Sequence, residues 1–285
     1  MNRPGTGGRL SAGDRSHSDR LDRHPSPGRR RTLAATGAFL PLAPFILLAL
    51  LVRATWPPLF RLDIAVTGAL HRYALDHPAW VRLMGGWTNV FAPGPLRIAT
   101  GAVAAWLLLR QAPRPALVRS GAPSRGAKAE LWAPALWVAT TMAGGGLLGV
   151  LIKLLVGRHR PELLNPVARA SGLSFPSGHA LNATLAAGVV LLVFLPFTRD
   201  RWPLRWALWT VAVLVAVVTG FSRIALGVHW TSDVVGGWLL GLAVLAATTA
   251  AFRTWRTRAG HRPASVVREG IEPELAEPGP EGTPR

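Results

Sequence analysis

Six apolar runs, each close to the ~20 residues that carry a helix across a bilayer, constrain this chain more than any other feature. They fall at about 33–52, 91–109, 131–152, 180–197, 204–221 and 234–252. Backbone polar groups in hydrocarbon must be satisfied within the segment, so such runs must be helical. Only 16% of the residues are charged, against roughly 25% in a soluble protein, and arginine-rich pieces separate the runs. The expected architecture is all-α: a polytopic bundle of six transmembrane helices. The second run is the weakest, because Arg97 and two prolines crowd its start.

The remaining segments are read by composition. Residues 1–31 are rich in Gly, Pro, Ser and Arg, and 253–285 end in "EGIEPELAEPGPEGTPR"; both are expected to be disordered tails. "GRRRTLAATG" resembles a twin-arginine export signal. The run after it is as long as a span and shows no small-residue cleavage site, so it is read as a retained first helix. The membrane domain is then 32–252. Residues 60–90 alternate apolar and charged residues at helical spacing and suit an amphipathic helix along the interface. His71 and His77 lie there and are assigned packed or solvated roles. "GGGLLG" at 144–149 and "GGWLLG" at 236–241 each contain Gly-x-x-x-Gly, which predicts close packing of the third span on the sixth.

Charge sets the orientation. With six spans, the two tails, the 110–130 loop and the 198–205 region share one side. They hold 22 of the 32 Lys and Arg residues, so that side is expected to be cytoplasmic, in a plasma membrane. The net charge of +18 is then a topology signal and a contact with anionic lipid. No nucleic-acid partner is expected, and the oligomeric state is left open. Cysteine is absent, which removes disulfides, thiolate nucleophiles and Cys-ligated metals.

Charges at a membrane boundary are costly, so clusters of them mark functional candidates. Three clusters occur, and parity in the span order places all of them on the outer side. "KLLVGRHRPELLNP" closes the third span with Lys153, Arg158, His159 and Arg160. "SFPSGHALNA" opens the fourth with Ser177, Gly178 and His179. "SRIALGVHWTSD" bridges the fifth and sixth with Ser222, Arg223, His229 and Asp233.

Lys153, Arg160 and Arg223 offer three cations, two with forked guanidinium geometry suited to phosphoryl oxygens. Ser177 and Gly178 stand at a helix start, where a cap and free N–H groups favour an anion. His229 and Asp233 are four apart and share a helix face. The carboxylate can hold one ring nitrogen as N–H and leave the other as a nucleophile. His179 can protonate the departing oxygen. Together these predict a phosphohistidine intermediate that water cleaves. Taken alone, Pro-Ser-Gly-His is an ordinary helix start and His-x-x-x-Asp a helix pair or a metal-ligand pair. Arg158, His159 and Arg169 are read as anchors at the membrane edge, with Arg158 and His159 also able to support the residues that touch phosphate.

The spacing K-x6-RP (Lys153 to Arg160-Pro161), PSGH (Pro176 to His179) and SR-x5-H-x3-D (Ser222-Arg223, His229, Asp233) resembles the type 2 phosphatidic acid phosphatase superfamily at every defining position. The resemblance implies a metal-independent phosphatase without cofactor, acting on a membrane lipid phosphate or diphosphate. Undecaprenyl diphosphate, phosphatidic acid and phosphatidylglycerol phosphate are the candidate substrates. It implies His229 as nucleophile, Asp233 as its orienting partner and His179 as acid, with Lys153, Arg160, Ser177, Gly178 and Arg223 on the phosphate. Two alternatives accompany it: a lipid-linked phosphotransferase using the same site, and a non-catalytic lipid-phosphate binder or transporter.

Overall fold

The computed structural model describes residues 27–111, 125–261 and 265–272, whose regular elements are helices, with no strand among them. The helices are α1 (Pro27–Arg53), α2 (Pro57–Asp76), α3 (Pro78–Val90), α4 (Pro93–Gln111), α5 (Arg125–Val156), α6 (Gly178–Phe194), α7 (Trp202–Ala225), α8 (Thr231–Arg258) and the single turn α9 (Val266–Glu269). Proline opens α2, α3 and α4, where its missing N–H costs nothing and its fixed φ already suits a helix. Pro57 also forces the residue before it out of the helical region, and Leu40–Arg53 and Pro57–Asp76 meet at 90°.

Five stretches are long and apolar enough to cross a membrane: Pro78–Arg110, Trp132–Val156, Gly178–Thr198, Trp202–Ala225 and Thr231–Arg258. The bent pair Leu40–Arg53 and Pro57–Asp76 adds a sixth candidate. Four of the expected runs sit within single helices; 91–109 begins two residues before α4, and 180–197 ends in a 3-10 turn beyond α6. Residues 60–90 form two helices rather than one, broken at His77.

The bundle is arranged around α6. Of its most apolar stretch 72% is buried, whereas α7, with 22% buried, turns Val211, Leu214 and Val217 outward. Helices α4, α5, α7 and α8 all pack on α6. Helix α5 also packs on α8 as expected, with Thr141 donating to Thr248 at 2.9 Å, but the two Gly-x-x-x-Gly pairs chiefly face α6. A Cβ at Gly145 would lie 2.4 Å from Leu185 and one at Gly149 2.5 Å from Leu181. At Gly237 and Gly241 it would lie 2.7 Å from the Ser177 carbonyl and 2.8 Å from Thr184. Both grooves therefore admit α6, which packs against α5 and α8 together. Only Gly145 also approaches α8, at Val244.

The two ends of the bundle differ. At one end, α8 runs on to Arg258, beyond the expected limit of 252, and the chain folds back as far as residue 272 instead of leaving as a tail. Ile271 is buried, its N–H donates to the Leu192 carbonyl at 3.2 Å, and Arg110 pairs with Glu272 at 3.2 Å. Residues 262–264 and 273–285, and residues 1–26 of the expected N-terminal tail, lie outside the described residues. At the other end, the α5–α6 connection (157–177) and the α7–α8 turn (226–230) close over one another and carry the polar clusters.

Candidate active site

The three sequence clusters meet at this end because α5 and α7 finish there and α6 and α8 begin there. The α7–α8 turn depends on Gly227, whose φ of 68° disfavours a side chain and whose Cβ would lie 2.5 Å from Leu163. That turn sets Val228 and His229 over the start of α8. Ser177 caps α6, accepting from the Ala180 N–H at 3.5 Å, while its own N–H donates to the Asp233 carbonyl at 2.8 Å. The heads of α6 and α8 are thereby tied directly together.

His229 is buried, 2% exposed, and both ring nitrogens are engaged. Nδ1 donates to Asp233 Oδ2 at 3.2 Å, and Arg160 Nη1 donates to Nε2 at 3.1 Å. A guanidinium only donates, so Nε2 carries the lone pair and Nδ1 the proton. Burial pushes the imidazole down to about 4, against the opposing pull of Asp233, so the neutral form prevails near pH 7. Asp233 also accepts from the Trp230 N–H at 2.9 Å, the carboxylate half of a capping box, and from Arg158 Nη1 at 2.8 Å.

The cations are held by neutral acceptors. Arg160 donates to the carbonyls of Ser171, Gly172 and Val228 at 3.1, 2.9 and 2.7 Å, and burial holds its guanidinium below the usual range. Lys153 Nζ donates to the Leu173 and Ser174 carbonyls at 2.9 and 3.1 Å. Arg223 donates through Nη1 to Thr88 Oγ1 at 3.0 Å, while its buried Nε finds no acceptor among the described residues. His179 lies half-buried in the first turn of α6, two residues after the capping Ser177. The structure thus brings Lys153, Arg160, Ser177, Gly178, His179, Arg223, His229 and Asp233 to one place. The result is a cluster of three cations beside a neutral, oriented imidazole.

Arg158 is the residue whose position most exceeds its sequence reading. It is no edge anchor: Nη1 reaches Asp233 Oδ1 and Ser232 Oγ, and Nη2 reaches Asp63 Oδ2 at 2.7 Å. Asp63, fully buried in α2, was not singled out in the sequence, nor were Ser174, Ser232 and Thr88. The available signal was scarcity, since Asp63 is one of six carboxylates between residues 32 and 252. His159 stays exposed at the rim, where its carbonyl accepts from Trp230 Nε1 at 3.1 Å, and Arg169 is exposed. His71 ties α2 to the α5–α6 connection through the Leu164 carbonyl at 2.8 Å, and His77 stacks on Tyr73.

Two cavities border this region. One of about 620 Å³ reaches the site through Arg158 and Arg160 and is walled by Trp56, Phe60 and Trp230. The other, about 510 Å³, is an apolar groove between α4 and α5 lined by Thr100, Gly101, Val138, Met142 and Gly146. Arg97 stands in it and donates to Asn182 Oδ1 at 3.3 Å; Asn182 in turn donates to the Gly178 carbonyl at 2.8 Å.

Residues 134–257 match the PAP2 superfamily. Phosphatidylglycerophosphatase B of Bacillus subtilis is 38% identical over 99 residues, which is 34% of this chain and 47% of that protein. An undecaprenyl-diphosphatase of Sulfolobus acidocaldarius is 35% identical over 100 residues, covering 33% of this chain and 44% of the relative. The decaprenylphosphoryl-5-phosphoribose phosphatase of Mycobacterium tuberculosis is 39% identical over 100 residues, covering 34% and 49%. The chain thus spans less than half the length of these relatives. Among solved structures, a transmembrane PAP2 type phosphatidylglycerolphosphate phosphatase from Bacillus subtilis superposes with a TM-score of 0.61 at 23% identity. The match covers 78% of this chain and 97% of that one, and it shows a shared fold. The region matched to the PAP2 superfamily, 134–257, holds the whole three-part signature from Lys153 to Asp233.

Proposed function

We propose that this protein is an integral membrane phosphatase that hydrolyses a lipid phosphate or diphosphate through a phosphohistidine intermediate. The observation that carries the reading is the state of His229: buried, neutral, its proton held by Asp233 and its lone pair turned toward Arg160. A site that only bound anions would need no such orientation.

In the proposed reaction the phosphoryl group displaces Arg160 from Nε2 and is held by Arg160, Lys153, Arg223, Ser177 and the amides at the head of α6. The unfilled Arg223 Nε is a donor awaiting an oxygen. The Nε2 lone pair attacks phosphorus, the bond from phosphorus to the leaving oxygen breaks, and His179 gives that oxygen its proton. Asp233 steadies the cationic phosphoimidazole through Nδ1–H. Water then attacks phosphorus, its proton passes to His179, the P–N bond breaks, and inorganic phosphate leaves His229 neutral again. Three cations meet the phosphate charge, so the step is written without a metal.

The relatives supply the substrate classes to be tried: phosphatidylglycerol phosphate, undecaprenyl diphosphate and a phosphorylated prenyl-phosphoryl sugar. The apolar groove ending at Arg97 suits the lipid chain. The distribution of Lys and Arg supports six spans with both tails cytoplasmic and the site at the outer face of the plasma membrane.

Purified protein in detergent, with chelator present, is expected to release phosphate from at least one of these lipids or from phosphatidic acid. The His229→Ala variant should release none. No release from any lipid by the wild type, or equal release by the variant, would sink the reading.

A further inference from the structure

We infer that Asp63, on α2 and outside the region matched to the family, is a positioning residue for the His229–Asp233 pair and acts through Arg158. The inference rests on the phosphatase reading above and adds a group that the three-part signature does not contain.

The geometry is closed on every side. Asp63 is fully buried, and three donors fill its carboxylate. The Ser232 N–H donates to Oδ1 at 2.9 Å, and Oδ2 takes both the Ser232 hydroxyl and Arg158 Nη2. Ser232 directly precedes Asp233, and its amide is one of those that a helix start leaves without an intrahelical partner. A carboxylate from α2 therefore pins the first turn of α8, the turn that carries Asp233. Arg158 completes the lock: one guanidinium spans two carboxylates and lies over the Trp230 ring, 5.5 Å from its centroid. It reaches Asp233 through a single N–H because Asp63 holds the other arm.

That division has a chemical consequence. With Asp63 neutral, nothing anionic would draw the guanidinium away from Asp233. Asp233 would then be a weaker acceptor for His229 Nδ1–H, and the Nε2 lone pair would be less well aimed. The charges around His229 fix the sign. It faces Asp233 of α8, Arg160 of the α5–α6 connection, Lys153 of α5 and His179 of α6, with Arg223 of α7 beyond His179 and the Arg158–Asp63 pair beyond Asp233. Removing the Asp63 charge disfavours imidazolium and moves the titration of His229 to lower pH. Removing the Arg158 charge favours imidazolium and moves it higher. A residue that merely held the fold together would not produce opposite displacements.

The experiment compares wild type, Asp63→Asn, Arg158→Gln and the double variant, as full-length protein in detergent, on one lipid phosphate. Asp63→Asn is expected to lower kcat about tenfold or more with KM changed less than about twofold, because the lost interaction matters in the transition state. The acid limb of kcat should fall by about half a pH unit or more in Asp63→Asn, rise similarly in Arg158→Gln, and return close to wild type in the double variant. Should Asp63→Asn not fold, the rise in Arg158→Gln and its reversal in the double variant read the same coupling. An active wild type whose limb does not move in these variants, or moves the same way in both single variants, overturns the role of Asp63 alone. An inactive wild type overturns the phosphatase reading beneath it.

Discussion

Arg158 and the trio Lys153, Arg160 and Arg223 lie at the same end of the bundle, and they are held in opposite ways. In the seam between α2 and the head of α8, Arg158 is matched by two carboxylates, and the local charge is spent within the protein. Where the α5–α6 connection meets the end of α7, Lys153, Arg160 and Arg223 are bonded to carbonyls, an imidazole and a hydroxyl. Neutral acceptors orient a cation without cancelling it. The first arrangement builds a support and the second leaves charge for a ligand, although Arg158 and Arg160 are two residues apart in one loop.

The contrast can be broken most decisively at the group both regions serve. His229→Ala should lower turnover by at least about 10⁴-fold, the scale seen when a nucleophile is removed, while lipid binding persists. Phosphate release set beside binding of the same lipid checks this. Arg160→Met and Arg158→Met should then diverge. Loss of Arg160 should cost about 10²–10³ in kcat/KM, as for a single transition-state donor, with stability kept because a desolvated cation is removed. Loss of Arg158 should lower stability by about 3–5 kcal/mol, because Asp63 and Asp233 are left buried without their counter-ion. Thermal unfolding in detergent measures the difference, and equal stability losses would end the distinction.

A third prediction concerns pH. His229 titrates near 6.5 when unfolded and about 4 when folded, so the unfolded chain binds the extra proton between those values. Its contribution to stability, roughly 3 kcal/mol, is fully present above pH 6.5 and is lost as pH falls toward 4. Turnover should likewise persist well below the ordinary imidazole range, with an acid limb near pH 4 in a kcat profile. A limb at 6.5 that Asp233→Asn leaves unmoved would show the imidazole to be solvated and unpaired. The smallest effect is expected at Thr88→Val. It removes a single hydroxyl acceptor from Arg223, worth about 1 kcal/mol, and should lower kcat/KM about fivefold without altering the pH profile.

Much of the site could be read from the chain because its parts sit at helix ends. Lys153 closes α5, Ser177 caps α6, Arg223 lies in the last turn of α7 and Asp233 in the first turn of α8. Helix ends follow from where apolar runs start and stop, so residues clustered there can be assigned to one face by counting spans. Asp63, Thr88 and Ser174 offered no such handle. The first two lie within the amphipathic pair α2 and α3, where a polar residue is ordinarily solvated, and Ser174 lies in a connection with no periodicity to interpret. Arg158 fell between the cases, since its place in the chain is that of an edge anchor and only its partners make it a bridge.

Hydropathy by itself determined that the described residues form long apolar helices able to cross a membrane, because long uncharged runs have no other way to satisfy their backbone in lipid. The sequence named His229 and Asp233 as a pair, but not through a shared helix face: His229 lies in the turn before α8, and the bend at Gly227 brings its ring to Asp233. What only the tertiary structure decided was which helix fills the glycine grooves and which carboxylate meets Arg158. Those outcomes depend on contacts among helices far apart in the chain, α2, α5, α6 and α8, and on burial that confines each polar group to the partners its neighbours supply. A linear pattern records which residues can face each other along one helix, but not which helix will come to lie beside it.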